Sequence, residues 1–218
     1  MDKAILNLIG NTPLIKLDLN IPNINLLVKL EIYNLTGSIK DRMALYMLKK
    51  AQKKSLLKKG ATIIEATTGN TGISFAALAR IFGYKMIAIM PEGQSLERIK
   101  ILRSYQAEVI LTPENEGPLG AIELRDKLAQ KIKDSWVPYQ FENLDNVKAH
   151  EVSTAQEIMR QVKEKIDYFV HGIGTGGTLM GVAKVLKKKF PEVPVVKLVK
   201  AFQQMPQSYL LKCLHRGQ

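Results

Sequence analysis

The sequence predicts an α/β protein of parallel strands covered by helices. Short apolar segments of strand length alternate with longer amphipathic ones, and the connections between them are short. Two of the strand-to-helix turns, Thr67–Gly72 and Gly172–Thr178, are crowded with glycine and threonine. Apolar residues make up 46% of 218 residues, ample for a core in one large domain or two small ones.

Taken in order, Ile9–Leu17 reads as a turn followed by an alternating strand, and Leu26–Leu30 as a second strand. Lys29–Arg42 then reads as a strand end, a glycine-bearing turn and a helix start. Ser38 is placed to cap that helix, and Asp41 puts negative charge in its first turn. Arg42–Leu57 has Met43, Leu45, Tyr46, Leu48 and Ala51 for a buried face, with Gly60 as C-cap. Ala61–Ala66 is a strand, Thr67–Gly72 a loop and Ile73–Phe82 a helix. Lys85–Met90 is a strand stopped by Pro91-Glu92-Gly93, and Ser95 caps a helix reaching Tyr105. Glu108–Leu111 is the next strand and Pro118–Ile132 the next helix. After the polar stretch Gln140–Asn146 comes a single helix, Val147–Ile166, with Ile158, Val162 and Ile166 on one face. Tyr168–His171 is a strand running into the second glycine loop, Leu179–Phe190 is a helix, and Val193–Val199 is a strand. Beyond it, Lys200–Gln218 has no clean period.

Composition excludes several classes. No apolar run approaches the roughly 20 residues that a bilayer requires. Met1-Asp2-Lys3 does not open a signal peptide, and a single Cys213 suits a reducing, cytoplasmic setting. His150, His171 and His215 have no metal-site spacing, so no metal is expected. The formal charge of +12 lies in helix-face clusters such as Lys187-Lys188-Lys189, without interleaved aromatics; this reads as solvated surface and not as a nucleic-acid site.

Three places carry chemistry. Lys40 is a cation at the positive end of a helix, where an amine deprotonates more easily and becomes a nucleophile toward carbonyls; on these residues alone, a solvated surface lysine is the stronger reading, since lysines usually sit in water. The loop Thr67-Thr68-Gly69-Asn70-Thr71-Gly72 aims backbone amides and hydroxyls at an anion, or simply starts a capped helix. Gly172–Thr178 puts four glycines and two threonines around a helix start, more than a tight turn requires, and suits a phosphate.

Together with Ile9–Leu14, Gly37–Arg42, Glu65–Gly72, Gln140–Asn143 and Gly172–Thr178, the chain resembles the cysteine synthase/cystathionine β-synthase family of fold-type II pyridoxal-phosphate enzymes, from about Ile5 to Val199. The resemblance implies a tryptophan synthase β-like fold: two domains with parallel-rich twisted sheets flanked by helices, and the cofactor between them. The smaller, mobile domain would cover 44–146 and the larger 1–43 plus 147–199. It also implies that Lys40 forms the Schiff base with pyridoxal 5'-phosphate and takes the substrate's Cα proton. Gly174, Thr175, Gly176, Gly177 and Thr178 would hold the phosphate, and Asn70 the phenolic oxygen. Thr67, Thr68, Asn70, Thr71 and Gln140 would hold the substrate carboxylate. The implied reaction is β-replacement on O-acetylserine by sulfide, or a relative of it using homocysteine. The implied assembly is a homodimer, with serine acetyltransferase a partner of some members. Leu35 stands where the family usually has proline, and Thr68 where it has serine. Lys200–Gln218 departs from the family, whose continuation carries a serine or threonine facing the pyridine nitrogen. The reading is of a truncated or frameshifted member with an incomplete larger domain and an aberrant tail at 200–218, whose turnover is open and which could be an inactive remnant.

Overall fold

The computed structural model describes residues 3–198, and the chain divides into two compact units. Within that range the first unit comprises residues 3–9 and 34–139, and the second residues 10–33 and 140–198. The main segment of the first unit thus begins at 34, ten residues before the expected 44, and ends at 139 instead of 146, and residues 3–9 join it. The added residues include the first turn of α1 (Lys40–Lys53), so the whole helix lies in this unit, where it packs on α2 (Asn70–Phe82). The expected tail at 200–218 lies outside the described residues.

The first unit is built on a four-stranded parallel sheet ordered β5-β4-β3-β6. Its strands are β3 (Thr62–Ala66), β4 (Lys85–Pro91), β5 (Glu108–Thr112) and β6 (Ser135–Trp136). All of β3 and all but the first residue of β4 are buried, because helices cover both faces of a parallel sheet. Ile64, Ala66, Ile87 and Ile89 pack with Ala121, Ile122, Leu124 and Leu128 of α4 (Gly117–Lys131). Ile63, Ala88 and Met90 alternate to the opposite face, the side of α2. α3 (Leu96–Ser104) is capped by Ser95, whose hydroxyl accepts from the Arg98 amide at 3.4 Å. The sequence reading missed β6, which has only two residues and therefore no period; Trp136 stays in place by meeting Phe75 edge to face, with centroids 6.0 Å apart.

α1 ends at Lys53, four residues before the expected Leu57. The amides of Leu56 and Leu57 turn back to the Ala51 carbonyl, and Gly60 lies in the loop beyond, not at the C-cap. Among the described residues, no helix is long and apolar enough to cross a membrane.

In the second unit, β1 (Leu14–Leu17) and β2 (Leu26–Lys29) form an antiparallel pair, and β7 (Phe169–Gly172) and β8 (Val195–Leu198) a parallel one. The single helix expected over Val147–Ile166 is two helices, α5 (Asp145–Val152) and α6 (Thr154–Gln161). Ser153 breaks it: its hydroxyl donates to the Ala149 carbonyl at 2.6 Å, and its backbone leaves the helical region at φ −121°, ψ −81°. The expected face survives the break. Ile158 is buried with Ala155, and Val162 and Ile166 pack against them and against Val182 and Leu186 of α7 (Gly177–Lys189). Lys187, Lys188 and Lys189 occupy the last turn of α7, where the helix dipole favours cations.

The turn at Gly10–Leu14 is anchored by a buried ion pair. Lys29 Nζ lies 2.8 Å from Glu157 Oε2 and donates to Gln161 Oε1 and the Thr12 carbonyl; Glu157 Oε1 accepts from the Asn11 amide at 2.9 Å. Removing one member of a buried pair strands the other. Lys29→Met should therefore cost about 3–5 kcal/mol, read as a lower urea midpoint. A loss below about 1 kcal/mol is what a solvated surface pair would give, and would contradict the buried arrangement.

Candidate active site

The first unit carries Lys40 and the 67–72 loop. Lys40 is the first residue of α1, and its amide donates to the Ser38 hydroxyl at 3.2 Å. Ser38 is therefore not the N-cap expected of it: Ile39 holds that position without a side-chain cap, and the Ser38 hydroxyl takes only the first amide of the helix. Asp41 does not simply face the helix dipole. Its carboxylate closes back on Thr36, accepting from the Thr36 amide and hydroxyl at 2.6 Å each, and the Thr36 hydroxyl lies 3.5 Å from that of Ser74 in α2. The Lys40 turn is in this way tied both to itself and to the helix behind the second loop. Burial pushes the Lys40 ammonium below its ordinary value of 10.5.

The loop expected over 67–72 is shorter than that: α2 already begins at Asn70. Thr67 shapes it from within. Its hydroxyl oxygen accepts from the amides of Gly69 at 3.2 Å and Gly72 at 3.1 Å. A Cβ on Gly72 would collide with the Thr67 methyl. Arg98 Nη1 donates to the Thr68 carbonyl at 2.8 Å, bracing the loop from the side of α3. Thr68 and Asn70 are exposed and Thr71 is buried. No side chain caps α2, and its first turn carries no acidic residue. This is a donor-rich surface suited to a carboxylate.

The second unit carries Gln140 and Gly174–Thr178. The sequence places a strand, a glycine turn and a helix here, and the structure has β7, the turn and α7. Gly176 is the N-cap residue at φ +83°, a left-handed conformation that favours glycine. α7 has no side-chain cap hydrogen bond and no acid in its first turn. The hydroxyls of Thr175 and of buried Thr178 flank its first amides. Backbone amides, hydroxyls and the positive end of a helix, without a carboxylate, form a donor set that fits a phosphate group. Gln140 is buried, and its carbonyl accepts from Asn146 Nδ2 at 2.9 Å.

Two residues behind the glycine loop escaped the sequence reading. Asn146 sits 4% exposed between Gln140 and Thr175. His150, considered in the sequence only as a metal ligand, is buried with Nδ1 2.9 Å from the Thr154 hydroxyl and Nε2 3.2 Å from that of Thr178. A polar residue on a helix that faces a glycine-rich turn was the available signal, but local sequence does not say which helix that turn meets.

Residues 5–212 match the family described as pyridoxal-phosphate dependent enzyme. A cysteine synthase of Flavobacterium is 49% identical over 193 residues, 88% of this chain and 62% of that protein. The chain therefore spans less than two thirds of the length of such relatives. Among solved structures, a hydrogen sulfide-producing enzyme from Fusobacterium nucleatum is 41% identical with a TM-score of 0.87, covering 94% of this chain and 69% of that one. An O-acetylserine dependent cystathionine beta-synthase from Helicobacter pylori is 38% identical with a TM-score of 0.85, covering 90% and 66%. The α/β class and the parallel sheet flanked by helices are those of these neighbours.

Folding disfavours the charged form of Lys40. Between its lowered folded value and 10.5, the unfolded chain holds that proton while the folded chain does not, so stability rises with pH across the window. Lys40→Met should raise the urea midpoint at pH 7 and flatten the rise toward high pH. An unchanged midpoint and slope would mean that the amine is in water.

Proposed function

The chain belongs to the pyridoxal-phosphate dependent enzyme family, and from that premise we propose that it replaces the acetate of O-acetylserine with sulfide, giving cysteine. The observation that carries this reading is the Lys40 amine, presented at a helix start and disfavoured from protonation by burial. A lysine whose charged form is disfavoured gives up its proton more readily, and the free amine is a nucleophile and a base.

Lys40 would bond the carbonyl carbon of pyridoxal phosphate. Gly174, Thr175, Gly176, Gly177 and Thr178 would hold the phosphate, and Asn70 the phenolic oxygen. The bound cofactor supplies an electron sink for the carbanion at the substrate Cα. The Lys40 amine would take the substrate Cα proton and return it after the replacement at Cβ. Thr68, Asn70, Thr71 and Gln140 orient the substrate carboxylate, with Thr67 setting the loop that presents them. Acetate leaves from Cβ, and sulfide adds there. Exclusion of water around the bound carboxylate would keep it from competing with sulfide.

Sulfide is favoured as the nucleophile because curated relatives at 45–49% identity are cysteine synthases. The homocysteine reading rests on a structural neighbour at 38%. A cytoplasmic homodimer, with serine acetyltransferase as a partner, belongs to the same proposal.

The test is a visible spectrum of the 218-residue chain with added pyridoxal phosphate, followed by a cysteine assay with O-acetylserine and sulfide. An aldehyde-derived band that Lys40→Ala removes is expected, with turnover falling at least about 100-fold. A folded chain with no band, or with a band indifferent to Lys40→Ala, would overturn the proposal.

A further inference from the structure

We infer that Asn146 is a positioning residue that holds the phosphate loop and the substrate-binding Gln140 in one fixed relation. The inference rests on the proposed function for the identity of the ligands, and on the second unit alone for its geometry.

Asn146 is 4% exposed, in the first turn of α5. Its Nδ2 donates to the Gln140 carbonyl oxygen and to Thr175 Oγ1, both at 2.9 Å. A carbonyl oxygen only accepts, so the amide nitrogen must face it; the opposite orientation would set two oxygens against each other. The two protons of one amide are thereby assigned, one to each functional segment. The consequence for Thr175 is one of polarity. A hydroxyl that accepts from Asn146 does not direct its own proton at that residue, so the Asn146 contact fixes which way the Thr175 hydroxyl is turned. The other end of the side chain is fixed as well. Asn146 Oδ1 lies where a Cβ on Gly177 would be, so only glycine leaves room for Asn146 beside the start of α7. Asn143 holds the start of α5, its side chain accepting from the Asp145 amide at 2.9 Å and its carbonyl from the Asn146 amide at 3.0 Å. One buried amide thus joins the backbone of Gln140 to the hydroxyl of Thr175 and fills the space beside Gly177.

A residue in this position does not touch substrate or cofactor; it governs two sites together. Asn146→Asp keeps the shape and loses both donors, placing an acceptor against the Gln140 carbonyl. With the full chain, three titrations follow. Inorganic phosphate should raise the melting temperature of the wild type without cofactor, and this shift should vanish in Asn146→Asp. Pyridoxal phosphate should bind the variant at least tenfold more weakly, while pyridoxal, which lacks the phosphate but still meets Lys40, should bind both proteins alike. At saturating pyridoxal phosphate, half-saturation by O-acetylserine should rise at least fivefold in the variant, and adding Gln140→Ala should then add less than it does in the wild type. Equal phosphate binding by wild type and variant would overturn the inference. So would equal weakening toward pyridoxal and pyridoxal phosphate, the mark of a general loss of structure, and so would a wild type that ignores phosphate.

Should Asn146→Asp fail to fold, the wild type gives the answer through the side-chain amide signals of Asn146 in a nitrogen-15 spectrum. Two slowly exchanging protons that move when inorganic phosphate is added are expected; fast exchange and no movement would overturn the inference. A wild type that responds to phosphate but shows no Lys40-dependent band would remove the proposed function and leave the role of Asn146 standing.

Discussion

The closure of Asp41 on Thr36 is the contact on which the chemistry of the first unit depends. Asp41 is 1% exposed, and both oxygens of its carboxylate are engaged by Thr36, the amide at one and the hydroxyl at the other. An adjacent carboxylate left to face Lys40 would favour the charged amine and offset the effect of burial. Engaged with Thr36, it instead fixes the turn that presents the amine. The same threonine reaches Ser74, so the helix start that carries Lys40 and the helix that begins at Asn70 share one polar anchor.

The second unit solves a related problem differently. Its glycine loop has little of its own to hold it, because four of its seven positions carry no side chain and the Thr175 hydroxyl takes the Gly177 amide only at 3.4 Å. Its shape is imposed from behind by α5, through Asn146 beneath Thr175 and Gly177 and through His150 beneath Thr178. In both units the residues that would meet a ligand are small and numerous, whereas the residues that aim them are few, polar and buried. Burial makes each such hydrogen bond costly to lose, which is why they define one arrangement and not several.

This division explains what could be read from the sequence. The strand–turn–helix order was legible because β3, β4 and β7 end in turn residues and are followed by amphipathic segments. The helix start at Lys40 was legible from Ser38 and Asp41, and the anion loops from their glycine and threonine content. What was not legible depended on distant partners. Helix periodicity runs through Ser153, and the break comes from a hydroxyl that competes for a carbonyl one turn back. The capture of Asp41 by Thr36 spans five residues, but nothing in a one-dimensional pattern distinguishes it from an exposed first-turn acid. Asn146 joins Gln140, six residues before it, to Thr175, 29 residues after it, and the second of those partners becomes visible only once α5 lies against α7.

The meeting of α5 and α7 also bears on how this sequence can drift. A Cβ on Gly181 would come within 2.5 Å of the Val147 carbonyl oxygen and 2.7 Å of the His150 Cβ. Backbone rather than a flexible side chain stands in the way, so neighbouring rotamers cannot absorb the change. Gly181 lies one turn beyond Gly177, on the same side of α7. A single substitution at Gly181 is therefore a dead end, whereas one at Gly177 meets only the Asn146 side chain and becomes reachable once that residue changes. The tempo of change on α7 would be set by α5, and lineages should show the two helices altering in correlated steps, with pairs of positions exchanged together while the polar outer face of α7 varies freely.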